Sequence, residues 1–183
     1  IPTLCCQQKM MYAAVYREFN GPIRLEKIEK PSCPDDGVVM RVKATGVCRS
    51  DWHGWKGHDS DIKNHGLPFV PGHEVSGVVV ESNVSLFCIG DRVAVPFILS
   101  CGDCQYCQSS RSTVCSKQEQ PGFTFLGSFA EFMAIPRADR NLARMPDSVS
   151  FVQAAALGCR FATAYRAVLQ QGKVQSHQSV VVF

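Results

Sequence analysis

Val38-Val39-Met40-Arg41-Val42-Lys43-Ala44-Thr45-Gly46-Val47 is an extended, valine-rich run, and its reading as a strand sets the fold. Similar runs stand on both sides. Met11–Arg17 is apolar and β-rich, and Ile23–Lys30 alternates through Ile23, Leu25 and Lys27. Val75–Glu81 and Asp91–Pro96 are short and valine-rich, and Phe129–Ile135 is a further candidate. Glycine and proline punctuate them at Gly21-Pro22, Pro31, Pro34, Gly37, Pro68, Pro71-Gly72, Gly90 and Pro96. Many short strands with such turns predict a mainly β unit with a few helices, a twisted barrel or sandwich, over residues 11–150. Residues 1–10 have no clear period and read as an N-terminal extension ahead of Met10-Met11.

The texture changes near residue 147. Ser150, with Gln153 three residues on, is a capping box ahead of Phe151-Val152-Gln153-Ala154-Ala155-Ala156-Leu157. Phe161–Gln171 reads as a second helix closed by Gly172, so residues 151–178 form a helical connection. Ser179–Phe183 is a continuous apolar run of the kind buried in a parallel sheet.

Composition narrows the function. Of the 183 residues, 45% are apolar and 19% charged, which excludes a disordered or low-complexity chain. A net charge of +3 gives no electrostatic footprint for nucleic acid. No apolar run reaches the ~18 residues of a membrane helix, and no N-terminal stretch has the order of a signal peptide. The ten cysteines are the anomaly. A chain of this size buries a core without staples, so a disulfide scaffold loses its usual motive, and thiolates held for metal in a reducing cytoplasm are the better reading.

Cys101, Cys104, Cys107 and Cys115 stand as C-x2-C-x2-C-x7-C in a polar loop, residues 97–117. Four thiolates at ~2.3 Å satisfy tetrahedral zinc and leave no open position, so this site holds a loop and does no chemistry. The other candidates are dispersed. Cys48 ends a strand in Gly46-Val47-Cys48-Arg49-Ser50-Asp51-Trp52-His53, His73 lies in Pro71-Gly72-His73-Glu74, and Cys159 in Gly158-Cys159-Arg160-Phe161. Two thiolates, an imidazole and an open position would make a catalytic zinc site. Spacing does not link residues so far apart; taken singly, Cys159 reads as a small core residue and His73 as a satisfied polar group.

Taken together and in order, Gly46–His53, Pro71–Glu74, the four-cysteine loop and Gly158–Tyr165 resemble the zinc-dependent medium-chain alcohol dehydrogenases, from about Tyr12 to Phe183. The resemblance implies a chaperonin-10-like barrel as catalytic domain, followed by a Rossmann domain of which Ser179–Phe183 is the first strand. The glycine fingerprint of that domain would begin where the sequence stops, so the chain is expected to be a piece that binds two zinc ions but little NAD or NADP. By the same resemblance Cys48, His73 and Cys159 are the catalytic zinc ligands. Glu74 lies behind the metal, and Asp51 orients the ligand histidine. Ser50 receives the alcohol proton, His53 passes it to solvent, and Arg49 contacts the cofactor pyrophosphate. The reaction implied is the interconversion of alcohols with aldehydes or ketones, on a small-molecule substrate, in a homo-oligomer (a dimer or tetramer).

Two other functions compete. A non-catalytic zinc-binding interaction module needs only the four-cysteine loop, which leaves the second ligand set superfluous. A zinc-free relative of the quinone-reductase type lacks the ligands that this chain keeps. Trp52, Trp55, Phe97 and Phe123–Phe125 are candidates for the substrate border or the core. His58, His65 and His177 read as solvated loop residues, Arg111 and Lys117 as surface charge, and Cys5, Cys6, Cys33 and Cys88 as thiols without a chemical role.

Overall fold

All six strands predicted within residues 11–150 form, each within a few residues of its expected bounds. The computed structural model describes residues 9–182. Strands β1 (Met10–Val15) and β2 (Arg24–Glu29) pair antiparallel, with Met10 opposite Glu29 and Val15 opposite Arg24. Strands β3 (Val38–Gly46), β4 (Glu74–Ser82), β5 (Arg92–Val95), β6 (Phe132–Ile135) and β7 (Ala143–Arg144) form an antiparallel sheet in the order β6-β3-β4-β5-β7. The two sheets are stitched through β1. Its Ala14 N–H donates to the Phe129 carbonyl at 2.7 Å, Glu131 N–H donates to the Tyr12 carbonyl at 3.0 Å, and Tyr16 and Phe69 exchange a pair of backbone bonds. This closure gives the mainly β, barrel-like body.

The run that opens β3 is buried on both faces. Val38 and Met40 point into the main core with Val75, Val79, Val93 and Ile135, while Val39 packs on the other side against Met11 and Phe132. Successive strand side chains face opposite ways, so three consecutive apolar residues require cover on both sides. Further along, the exposed Arg41 and Lys43 alternate with the half-buried Val42 and Ala44. Two register shifts against β4, between Val39 and Met40 and between Val42 and Ala44, bend the strand as its end approaches Cys48.

Short helices fill the connections: α1 (Arg49–Trp55), α2 (Ser60–His65), α3 (Gln105–Gln108), α4 (Ala138–Asn141), α5 (Phe151–Ala155) and α6 (Ala162–Tyr165). The capping box at α5 forms as predicted: the Gln153 N–H donates to Ser150 Oγ, and Gln153 Oε1 accepts from Ser150 N–H. Ser76 Oγ donates to the Phe151 carbonyl at 2.6 Å and Arg92 Nη2 to the Val149 carbonyl at 2.6 Å, which locks the start of α5 to β4 and β5.

Two expectations need correction. The second helix begins at Leu157, before Phe161, and its first and last stretches, Leu157–Phe161 and Arg166–Gln171, follow the wider π-type winding around α6. It ends at Gly172 as expected, with right-handed helical angles at the cap, and the left-handed residue is the next one, Lys173, with φ 49°. The described residues 179–182 of the expected last strand pair with nothing, and Val181 and Val182 are 74% and 88% exposed. A buried parallel strand exists only through neighbours on its edges and cover on its faces, and no described strand lies beside these residues. Phe183, Cys5 and Cys6 lie outside the described residues, as does most of the expected extension. No described helix is long and apolar enough to cross a membrane.

Candidate metal centres

The four-cysteine lobe leaves the barrel at Leu99 and returns at Glu119, where reciprocal backbone bonds of 2.8 and 2.9 Å close its neck. Cys104 caps α3 and Cys107 lies within it, so i, i+3 spacing turns both sulfurs to one side. A single 3-10 turn over Ser112–Val114 brings Cys115 back to meet them. The sulfurs lie 3.6 Å (Cys104–Cys107), 3.8 Å (Cys104–Cys115), 3.4 Å (Cys101–Cys115) and 3.9 Å (Cys101–Cys107) apart. A disulfide would need ~2.05 Å, whereas the edge of a tetrahedron with ~2.3 Å metal–sulfur bonds is about 3.8 Å. All eight described cysteines are free, and the lobe's geometry fits one tetrathiolate metal. Backbone N–H groups of Cys101 and Lys117 point at the Cys115 sulfur at 3.4 and 3.3 Å. Backbone hydrogen bonding at Cys107, against the opposing effect of burial, holds the Cys104 thiol down at about 5.

The second centre gathers residues from three distant segments. Ligand atoms of Cys48, His73, Glu74 and Cys159 all lie within 4.8 Å of one another. Cys48 caps α1 at the end of β3, His73 and Glu74 stand where β4 begins, and Cys159 rides the π-type turn after α5. Two glycines make the approach possible. A Cβ on Gly158 would collide with the Val95 carbonyl, and one on Gly46 with the Glu74 carboxylate.

Asp51 organises this centre. Its carboxylate accepts from Cys48 N–H at 2.8 Å, Gly72 N–H at 3.1 Å and His73 Nδ1 at 3.1 Å. With Nδ1 donating to Asp51, His73 Nε2 keeps its lone pair for the cluster. His73 is fully buried, with the rings of Phe97 and Phe123 at 4.9 and 5.4 Å. Burial disfavours its charged form, but the bond and charge of Asp51 outweigh this and raise its pKa above the ordinary value. Burial also pushes the Cys48 thiol upward, yet hydrogen bonds at Ser50 and His73 leave it lowered overall. Cys159 has no such help, and burial, followed by the nearby Cys48 charge, pushes its thiol up to about 11. Two sulfurs and an imidazole nitrogen beside a buried carboxylate are a donor set that zinc accepts. Asp51→Asn is expected to lower the affinity of this centre by ~10–100-fold while the tetrathiolate lobe keeps its own. Competition with a chromophoric chelator measures both.

The remaining predicted site residues lie as follows. Ser50 joins the centre, its Oγ 3.4 Å from His73 Nε2. His53 is not hydrogen-bonded to Ser50; its Nδ1 faces His58 Nδ1 at 3.2 Å on the exposed side of α1. Arg49 is exposed, its guanidinium 4.2 Å above the Trp52 ring. Trp55 belongs to the core beside Ile62 and donates Nε1–H to the Gly21 carbonyl, whereas Trp52 is exposed. His65 packs on Phe69. Only these two clusters of three or more metal-ligating residues occur among the described residues.

One participant escaped the sequence reading. Arg160 pairs with both Glu74 oxygens, Nε to Oε1 at 3.0 Å and Nη2 to Oε2, and Nη2 also donates to the Val47 carbonyl at 3.3 Å. The signal was a cation directly after Cys159 in an otherwise small and apolar stretch, Ala154–Ala164.

Residues 34–147 match the domain family described as the alcohol dehydrogenase GroES-like domain. An alcohol dehydrogenase of Geobacillus stearothermophilus is 38% identical over 165 residues, 88% of this chain and 48% of that protein. The crystal structure of an NAD-dependent alcohol dehydrogenase superposes with a TM-score of 0.81 at 32% identity, covering 91% of this chain and 49% of that one. The alcohol dehydrogenase of the archaeon Aeropyrum pernix gives a TM-score of 0.80 at 31% identity, over 89% and 48% of the two chains. The chain thus spans about half the length of the relatives it matches.

Proposed function

Because the chain belongs to the family of the alcohol dehydrogenase GroES-like domain, we propose that it forms the catalytic half of a zinc-dependent, NAD(P)-linked oxidoreductase that interconverts alcohols with aldehydes or ketones. The observation that carries this reading is the convergence of Cys48, His73 and Cys159, from three distant segments, beside Glu74. Those three residues would hold a zinc ion, which when bound supplies Lewis-acid polarisation of an oxygen, while NAD or NADP supplies the hydride chemistry.

The chain's own residues do the rest. The two thiolates would cancel the charge of a dication, so the buried centre would carry no net charge of its own, and the proton released by a nearby oxygen has to be taken up by a neighbouring group. Asp51 fixes the tautomer and orientation of His73. Phe97 and Phe123 cover the imidazole and keep water from it. Ser50 Oγ, beside His73 Nε2, is placed to accept the proton of an alcohol. The next transfer, to His53, rests on the resemblance alone, as does a pyrophosphate contact for Arg49. Cys101, Cys104, Cys107 and Cys115 would hold a structural zinc.

Residues 11–150 would be the catalytic barrel with its lobe at 97–117 and 151–178 the connection, while 179–183 would become the first strand of the nucleotide-binding domain only beside that domain's other strands. The whole protein would be a homo-oligomer acting on a small molecule, and its free thiols suit a reducing cytoplasm. Metal analysis tests the reading: two zinc ions per chain are expected, one for each cluster. A single ion, confined to the four-cysteine lobe, would leave a zinc-binding module without chemistry.

A further inference from the structure

The buried centre holds four possible ligands, not three, and one of them is already engaged. Glu74 is fully buried within reach of the Cys48, His73 and Cys159 ligand atoms, yet Arg160 bonds both of its oxygens. A dication and two thiolates cancel, which leaves the Glu74 charge over. The partner that balances it is Arg160, half out in solvent and tied to the Val47 carbonyl one residue before Cys48. Gly46, lacking a side chain, gives the carboxylate the room to turn towards Arg160. Deprived of that partner, a buried carboxylate must find another cation, and the metal is the one at hand.

We propose that Arg160, by holding both oxygens of Glu74, keeps this carboxylate out of the metal's coordination sphere and so preserves the open position of a three-donor site. Arg160 is then a positioning residue. The assignment rests on the reading that Cys48, His73 and Cys159 hold the metal.

The test uses the chain loaded with Co2+, with imidazole as the small ligand for the open position. Visible spectra report the coordination of the ion, and titration gives the imidazole affinity. Arg160→Leu is expected to change the cobalt spectrum and weaken imidazole ~10–100-fold, because an internal carboxylate at high effective concentration competes for the same place. Adding Glu74→Gln to Arg160→Leu is expected to restore both. Arg160→Lys keeps a cation but loses the paired geometry, so it shifts the same readouts less and serves if leucine is not tolerated. Wild-type spectra and imidazole affinity in Arg160→Leu would overturn the assignment. So would a double variant as weak as the single one, since Arg160 would then act without Glu74. If Cys159→Ser left cobalt binding and the imidazole response unchanged, the three-donor reading itself would fall and take the assignment with it.

Discussion

Replacing Cys159 by serine is expected to remove the metal from the buried centre while the four-cysteine lobe keeps its own, so metal content falls from two ions per chain to one. A serine hydroxyl stays protonated where a thiol can ionise, and it is a harder, shorter donor. The dication then faces a single thiolate in a buried setting, with its charge uncompensated. Apparent zinc binding by four ligands is worth ~10–16 kcal/mol, so one lost ligand costs roughly 3–4 kcal/mol, on the order of 100–1000-fold in affinity. Turnover of an alcohol by the whole protein should vanish with it. Equilibrium dialysis against a zinc buffer measures the loss, and near-ultraviolet circular dichroism checks that the barrel persists. Retention of the second ion at wild-type affinity would remove Cys159 from the ligand set.

Metal removal is expected to unfold the lobe and spare the barrel. Between the neck at Leu99 and Glu119, the buried side chains are largely the cysteines themselves: Cys107 and Cys115 are 6% and 4% exposed, while Val114 is 54% exposed. The lobe has no apolar core of its own, and a metal held by the four cysteines would take that place. Without the ion, thiolates 3.4–3.9 Å apart repel or take up protons, and only short-range bonds such as Arg111 N–H to the Tyr106 carbonyl and the exposed Lys117–Asp103 pair remain to hold the chain in its turns. Exhaustive chelation, or Cys107→Ser, should therefore abolish amide-exchange protection across residues 101–118 and lower thermal stability. Amides in β3 and β4 keep theirs, because their ladder and core lie elsewhere. Lobe amides that stay protected in the metal-free protein would show that packing, not metal, holds this segment.

The two centres differ in how far the sequence revealed them. Four cysteines within fifteen residues carry their own geometry, since a tight loop and one turn of helix cannot scatter the sulfurs far. The strands were legible for a similar reason: valine-rich runs between prolines and glycines declare themselves locally. The extra length of the last helix was not, because its start at Leu157 depends on Gly158 passing against the Val95 carbonyl. Nor did the apolar run at 179–182 become a strand, since a ladder is a property of pairs.

By itself, then, the order of residues determined six of the seven strands, β7 excepted, the capped start of α5 and the gathering of four cysteines in one loop, all of which arise from neighbours in the chain. Tertiary structure alone decided that Cys48, His73 and Cys159 meet, that Asp51 turns His73 towards them, that His53 faces His58 instead of Ser50, and that Arg160 takes hold of Glu74. Apart from the local His53–His58 pair, those contacts join distant segments, Cys48 and Cys159 being more than a hundred residues apart, and it is the closing of the barrel that brings them together.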